Sequence, residues 1–228
     1  MKKTVKIGFI GFWPNFKPET SIFYEILSKK YDIEISEEPD YLFCSVFGTP
    51  YEYCKYNAIR IMISFENYIP DFNLIDYGVS SYPLTLQDRH FSAPCFIDKK
   101  YLELGSVNRN FDNKFLKNKK YFANFIFSHE SENNIRGDFF KKLCDYKRVE
   151  SIGTYLNNMP HGEVINMAGK KFFQSKCKFT LCFESTKQEG FITEKIIDAF
   201  LADTIPIYYG SSDVGEIFNK NLLDLLAQ

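Results

Sequence analysis

The stretch KFTLCFESTKQEGFITEKIIDAFLADTIPIYYG, residues 178–210, decides the fold. Phe179 to Phe183 is short, apolar and aromatic, the pattern of a buried strand. A polar turn with Gly190 follows. Thr193 is placed to cap a helix, and Glu194 falls in its first turn, where a carboxylate suits the positive end of the helix dipole. Ile196, Ile197, Phe200 and Leu201 share one helical face and predict inward packing. Thr204 to Tyr209 is a second apolar run, closed by Gly210. Strand, loop, helix, strand is the crossover of a parallel sheet. It carries a loop and a helix N-terminus to the carboxyl edge, where α/β sheets bind ligands. The sequence puts Glu194 and Lys195 at that edge.

Outward from this unit the same grammar repeats. Lys6 to Phe12 reads as a first strand; its Gly8 and Gly11 lack the third glycine of a dinucleotide fingerprint. Ile22, Phe23, Ile26 and Leu27 predict one face of a helix. Ile33 to Ile35, Tyr41 to Phe47, Ile59 to Phe65 and Tyr77 to Ser81 read as strands, and Tyr41 to Phe47 has no polar face, as in a central parallel strand. The Ile59 strand delivers Glu66 and Asn67 at its carboxyl end. From Gln87 to Lys120 the pattern dissolves, and Lys117-Asn-Lys-Lys120 is a solvated charge run. This predicts a linker and two α/β halves, residues 1–118 and 119–228. In the second half Tyr121 to Ser128 is a strand. The turn His129 to Asn134 precedes a helix with Phe139, Phe140, Leu143 and Cys144 on one side and Arg136 in its first turn. Lys147 to Ile152 is a short strand, Asn157 to Gly169 a loop, and Glu216 to Gln228 a terminal helix.

Bulk properties narrow the function classes. A formal net charge of -1 argues against a nucleic-acid binder dominated by phosphate contacts. An aromatic fraction of 18% supplies rings for cores and for sugar-facing surfaces. The six cysteines, Cys44, Cys54, Cys95, Cys144, Cys177 and Cys182, show no Cys-x-x-Cys spacing, which disfavours a zinc site. Cys44 and Cys182 lie in apolar strands and read as core thiols. His90, His129 and His161 are isolated and read as surface or turn residues. The start, Met-Lys-Lys-Thr-Val-Lys, runs straight into a strand pattern, no apolar stretch is long enough to span a membrane, and no Asn-x-Ser/Thr occurs. Together these predict a cytoplasmic setting.

The segments Phe-Glu-x-Thr, Gly-Phe-Ile-Thr-Glu-Lys-Ile-Ile-Asp-Ala-Phe and Ile-Pro-Ile-Tyr-Tyr-Gly resemble the donor-binding signature of the α-1,3/4-fucosyltransferases, glycosyltransferase family 10, most of all its bacterial branch. Ser64-Phe-Glu-Asn67 with Pro70-Asp-Phe-Asn-Leu-Ile-Asp-Tyr77 resembles the family segment that carries the proposed catalytic base. The resemblance implies the GT-B architecture, two Rossmann-like domains facing a cleft. It implies inverting transfer of L-fucose from GDP-fucose to an N-acetylglucosamine-containing glycan, in α-1,3 linkage. The destination it implies is lipopolysaccharide O-antigen at the inner face of a bacterial membrane. By the same resemblance Glu66 is the base, Arg136 and Lys195 hold the diphosphate, Glu194 holds the ribose, and Phe191 and Ser185 line the donor. The chemistry fits these types. An inverting transfer needs one carboxylate to take the acceptor proton, and burial at a strand end would raise its pKa toward the working range. Cations stabilise charge growing on the leaving diphosphate. Each residue also has a plainer reading: Glu66 as a strand-end cap, Lys195 as a surface lysine paired with Asp198 or Glu194, and Glu194 as an ordinary first-turn acid.

Two departures accompany the likeness. The family usually has Phe-Glu-Asn-Thr and Gly-Tyr-Val-Thr-Glu-Lys; here Ser185 replaces the Asn and Phe191 the Tyr. Losing that hydroxyl costs about 0.5–1.5 kcal/mol of donor binding if water fills in. Family members also continue for several elements beyond Gly210, so the second domain is expected to be incomplete. No Asp-x-Asp or other metal motif is present, so no cofactor or divalent metal is expected. Two alternatives stay open on sequence: an inactive, shortened nucleotide-binding relic, and a transferase of another nucleotide sugar.

Overall fold

The computed structural model describes residues 2–94, 113–159, 167–219 and 224–225. The chain divides into two compact units, Met1–Asp98 and Lys99–Gln228.

The first unit is a six-stranded parallel sheet. Its strands are β1 (Lys3–Ile10), β2 (Tyr31–Ile35), β3 (Tyr41–Cys44), β4 (Ile59–Ser64), β5 (Tyr77–Ser80) and β6 (His90–Ser92), in the order β2-β1-β3-β4-β5-β6. Alternation along β3 explains its lack of a polar face. Leu42 and Cys44 join one apolar cluster with Met62, while Phe43 joins a second with Ile7 and Ile63. Burial pushes the Cys44 thiol up to about 12, so it is an inert core group. Helix α1 (Ile22–Ser28) starts where the Ser21 hydroxyl accepts from Tyr24 N. It packs Phe23, Tyr24 and Leu27 on the sheet. Ile26, expected on that face, is 54% exposed, because a face centred on Phe23 and Leu27 leaves it on the far flank.

Strand order reverses between β1 and β3, which makes a topological switch point at their carboxyl ends. The two loops cross there without side chains. Gly11 has φ +71° and no room for a Cβ against Ser45 O, and Phe47 N donates to Gly11 O at 2.8 Å. Above the crossing lie four rings: Phe12 stacks on Phe16 at 4.1 Å, and Trp13 meets Phe47 edge-on at 6.2 Å. Trp13 and Phe47 are each 49% exposed.

Strand β6 falls where the sequence pattern predicted only linker, and it buries His90. Nδ1 of His90 faces Leu84 O at 3.2 Å, which requires an N–H there, so Nε2 accepts from the Ser80 hydroxyl at 2.9 Å. The surface role expected for His90 is thus corrected; His161 and Cys95 lie outside the described residues.

The second unit holds a five-stranded parallel sheet. Its elements are α2 (Asn113–Asn118), β7 (Tyr121–Phe125), α3 (Ile135–Tyr146), β8 (Val149–Ser151) and α4 (Met167–Gln174), then β9 (Cys177–Phe183), α5 (Glu194–Leu201), β10 (Ile205–Tyr209), α6 (Val214–Ile217) and β11 (Asp224–Leu225). The sheet order is β11-β10-β9-β7-β8. The opening stretch forms the strand, loop, helix, strand expected, with β10 paired to β9 in register Ile205↔Phe179. Phe125, Phe183, Leu181 and Phe140 of α3 build the core. The division at Asp98 lies inside the stretch read as linker, Gln87 to Lys120, and places α2 in this unit. The buried ammonium of Lys119, which follows α2, donates to Ala202 O (3.2 Å) and Asp203 O (2.7 Å) at the end of α5, where cations suit the helix dipole. The terminal helix expected from Glu216 is also corrected. Among the described residues beyond Gly210 the helix covers Val214–Ile217, and Asp224–Leu225 instead pairs with Ile207–Tyr208 as an edge strand; most of the rest of the expected helix lies outside the described residues.

Candidate functional site

Two consecutive residues at the carboxyl end of β9 organise the site. Glu184 follows the last strand residue and is 1% exposed. Its N–H donates to Tyr209 O at 2.8 Å, which fixes its backbone to β10. Its carboxylate is ringed by donors: Thr193 N (2.8 Å) to Oε1, and the Thr193 hydroxyl (2.8 Å) and Lys195 Nζ (3.1 Å) to Oε2. The Lys195 ammonium and the Thr193 amide favour its charged form. Burial pulls its pKa up, and Lys195 and the two Thr193 donors pull it back only in part. Thr193 occupies the N-cap position of α5, but its hydroxyl serves Glu184 rather than the helix, which corrects the cap predicted for it.

Lys195, in the first turn of α5, also donates to Thr193 Oγ1 at 2.9 Å and lies 3.9 Å from Glu194. Burial works against its charge, but Glu184 and Glu194 prevail and its pKa is raised. Of the two partners expected on the plainer reading, Glu194 is present and Asp198 is not. Asp198 pairs instead with Lys170 at 2.7 Å.

Arg136, in the first turn of α3, reaches the same strand end. Its guanidinium donates to Phe183 O (3.0 Å) and His129 O (2.7 Å) and lies over the Phe127 ring at 4.1 Å. It is 3% exposed. The two cations predicted to act together are therefore anchored on Phe183 and Glu184, and Arg136 is close enough to disfavour the charge of Lys195. The amide of α3's first turn is occupied too. Glu130 accepts from Gly137 N (3.0 Å to Oε2), Ser131 N (2.8 Å) and the Tyr155 hydroxyl. Burial alone would raise its pKa; these donors hold it below the usual carboxylate range. At both helices an internal carboxylate thus takes first-turn or cap amides, and the exchangeable positive charge resides on the side chains.

The remaining predicted residues are more varied. Glu194 is partly exposed; burial opposes its charge, yet Lys195 and its own amide keep its pKa low. Ser185 is exposed. Phe191 is 3% exposed, so its ring is a packing element in the loop before α5. That loop is tied down by Gly190 N donating to Ser211 Oγ at 3.0 Å. In the first unit Glu66 lies past the end of β4, which stops at Ser64. It is exposed, and the burial expected of it is absent, because two residues of loop carry it clear of the sheet. Its carboxylate has no hydrogen-bond or salt-bridge partner among the described residues. The neighbouring Asn67 Oδ1 accepts from the Tyr82 hydroxyl.

Glu184 and Glu130 escaped the sequence reading as functional residues. Glu184 had a signal, an acid directly after an apolar strand in Phe-Glu-x-Thr. Glu130 had none, since apart from the adjacent Ser131 its partners lie seven and twenty-five residues away. A cavity of about 270 Å³, lined by Val5, Ile7, Leu27, Tyr31, Tyr41 and Phe43, sits at the amino ends of the first sheet, away from the edge where such sheets bind ligands. Among the described residues no helix is long and apolar enough to cross a membrane, and no group of acids, histidines and cysteines could hold a metal ion.

Comparison with known proteins follows these boundaries. Residues 7–98 match the alpha-(1,3)-fucosyltransferase FucT N-terminal domain, and residues 116–221 match the glycosyltransferase family 10 (fucosyltransferase) C-terminal region. The alpha-(1,3)-fucosyltransferase FucT of Helicobacter pylori is 31% identical over 94% of this chain, which spans 52% of that protein's length. A solved alpha1,3-fucosyltransferase with GDP-fucose superposes with a TM-score of 0.78 at 30% identity, covering 98% of this chain and 73% of that one. The 4-galactosyl-N-acetylglucosaminide 3-alpha-L-fucosyltransferase 9 of Cricetulus griseus is 33% identical over 39% of this chain and 23% of its own length.

Proposed function

We propose a function from one premise: the chain belongs to glycosyltransferase family 10, the fucosyltransferases. Its two Rossmann-like units are those of the GT-B class. On this reading it transfers L-fucose from GDP-fucose to a hydroxyl of an N-acetylglucosamine-containing glycan, in α-1,3 linkage and with inversion. The donor follows from the likeness to a structure solved with GDP-fucose. The name of the Cricetulus griseus relative supports the acceptor class. A lipopolysaccharide O-antigen bearing such a residue would meet the same requirement, and the inner face of a membrane would be the place to meet it.

The reaction needs a base, an attacking oxygen and a stabilised leaving group. The Glu66 carboxylate takes the proton of the acceptor hydroxyl as its oxygen bonds to the anomeric carbon. The bond from that carbon to the diphosphate oxygen breaks on the opposite face, and GDP leaves with the electron pair. Lys195 and Arg136 stabilise the charge that grows on it. Glu194 accepts from the ribose hydroxyls and Ser185 borders the donor, while the buried Phe191 ring supports from behind the loop that lines it. The half-exposed rings of Trp13 and Phe47 offer apolar faces for a pyranose. Two side-chain cations do the work of a bridging metal here, so transfer is expected to persist in EDTA.

The observation that carries this reading is the convergence of Arg136 and Lys195 on Phe183 and Glu184. The test is a thermal-shift screen of GDP-fucose, GDP-mannose and UDP-sugars, followed by a transfer assay to N-acetyllactosamine. Stabilisation by GDP-fucose with transfer is expected. Binding without transfer would reduce the protein to a nucleotide binder, and stabilisation by UDP-sugars alone would replace the donor.

A further inference from the structure

The carboxylate of Glu184, like that of Glu130, takes no direct part in the proposed reaction, but it alone of the two is paired with Lys195. It is fully surrounded, at the end of a central strand, and its position is prepared by its neighbours. Gly210 leaves the space: a Cβ there would stand 2.6 Å from Glu184 Cγ. Tyr209 O fixes its backbone, and Thr193 binds it twice. An isolated carboxylate in such a place is costly, and a well-packed apolar residue would stabilise the fold at least as well. Its presence therefore calls for a role other than stability.

The donor count of Lys195 supplies that role. An ammonium has three N–H groups. One goes to Glu184 Oε2 at 3.1 Å and one to Thr193 Oγ1 at 2.9 Å, while Thr193 itself donates to the same carboxylate oxygen. The three groups form a closed triangle, which leaves one N–H on a side chain that keeps 23% exposure. A free lysine samples many rotamers and must give them up to grip a ligand. This one is already held.

We propose that Glu184 is a positioning residue: acting with Thr193, it fixes the Lys195 ammonium so that its one remaining N–H is presented to an oxygen of the donor diphosphate. The proposal rests on the reading that Lys195 binds that diphosphate. Glu184 touches no substrate; it acts through Lys195.

The test compares GDP with guanosine, which lacks the phosphates, by calorimetry on the full chain. In Glu184→Gln the amide oxygen can still accept from Thr193 N, but an NH2 group faces Lys195 and unhooks it. GDP affinity is expected to fall roughly ten- to a hundred-fold, the scale of one charge-assisted contact, while guanosine binds as before. In a Lys195→Ala background the same change should cost GDP nothing more, because the two act as a unit. Thr193→Ala, which keeps the Glu184 charge paired, should weaken GDP selectively by several-fold and serves if Glu184→Gln does not fold. The proposal is overturned if Glu184→Gln binds GDP like the wild type, loses guanosine equally, or adds its full loss to that of Lys195→Ala. If instead Lys195→Ala alone binds GDP unchanged, the diphosphate reading itself fails, and this inference with it.

Discussion

Lys195 Nζ lies 3.1 Å from Glu184 Oε2, and of the two side chains only the lysine reaches solvent. Replacing Lys195 by alanine therefore does two things at once. It removes a cation, and it strands a carboxylate that is 1% exposed. Breaking such a pair from one side costs about 3 kcal/mol. Lys195→Ala should be destabilised by about that amount in urea, before any ligand is added. Lys195→Met with Glu184→Gln should recover most of the loss without recovering GDP binding. A double variant that regains both would make Lys195 purely structural.

Gly137 sits in the first turn of α3 with its amide on Glu130, and a Cβ there would collide with Glu130 Oε2 and the Tyr155 hydroxyl. Two effects compete on substitution. Alanine improves helix propensity by about 1 kcal/mol. Displacing a carboxylate that accepts from three neighbouring residues, with its neighbour Arg136 moved off Phe183 O, costs about 1–3 kcal/mol by overpacking. The clash should win, because the Cβ would meet two groups already locked together. Gly137→Ala is expected to lower both the melting temperature and GDP affinity. A variant that melts higher would show that Glu130 can move aside.

His90 makes the first unit sensitive to acid. Burial lowers its pKa, and only the Leu84 carbonyl opposes this. The folded protein therefore keeps a neutral ring where the unfolded chain begins to bind a proton, near pH 6.5. The unfolded state binds more protons, so stability is full above that pH and is lost as pH falls through the lower folded value. The Ser80 hydroxyl, which donates to Nε2, loses its acceptor at the same step. Melting temperature followed from pH 7.5 downward should show this limb in the wild type and a flatter one in His90→Gln. Coincident curves would assign the acid response to other groups.

What the sequence displayed and what it hid differ by range. The unit from Phe179 to Tyr209 was legible because its apolar runs have lengths and periods that admit one reading, and local glycine and proline mark its ends. Strand β6 was hidden: three residues, His90-Phe91-Ser92, form an edge with one buried side chain, too short for any period. The end of the chain misled because its leucines suit a helix face, whereas pairing with Ile207–Tyr208 fixes Asp224–Leu225 as strand. The places of Arg136 and Lys195 were legible, each in the first turn of a helix after a strand. Their anchors were not, because Glu184 and Thr193 are brought together by the loop between them and Glu130 and Tyr155 by the fold. Glu66 came from the likeness to a family segment, and its burial was misjudged, since β4 ends two residues before it.

Exposure is what makes Glu66 testable. Its carboxylate holds up nothing among the described residues, so Glu66→Gln should leave the melting temperature unchanged. The amide keeps the size and polarity of the side chain and cannot take a proton at neutral pH. A general base contributes about 10²–10⁴ in rate, and transfer from GDP-fucose should fall by that much. GDP affinity should not change, because the residues assigned to the diphosphate belong to the other unit. Asp71 is the natural control. Its Oδ1 accepts from Asn73 N at 3.0 Å and Nδ2 at 2.9 Å, which marks it as a turn-forming acid. Asp71→Asn should slow transfer little. A large loss in Asp71→Asn with near-normal transfer by Glu66→Gln would move the base to another carboxylate, and a parallel loss of GDP binding in Glu66→Gln would make Glu66 part of the donor site instead.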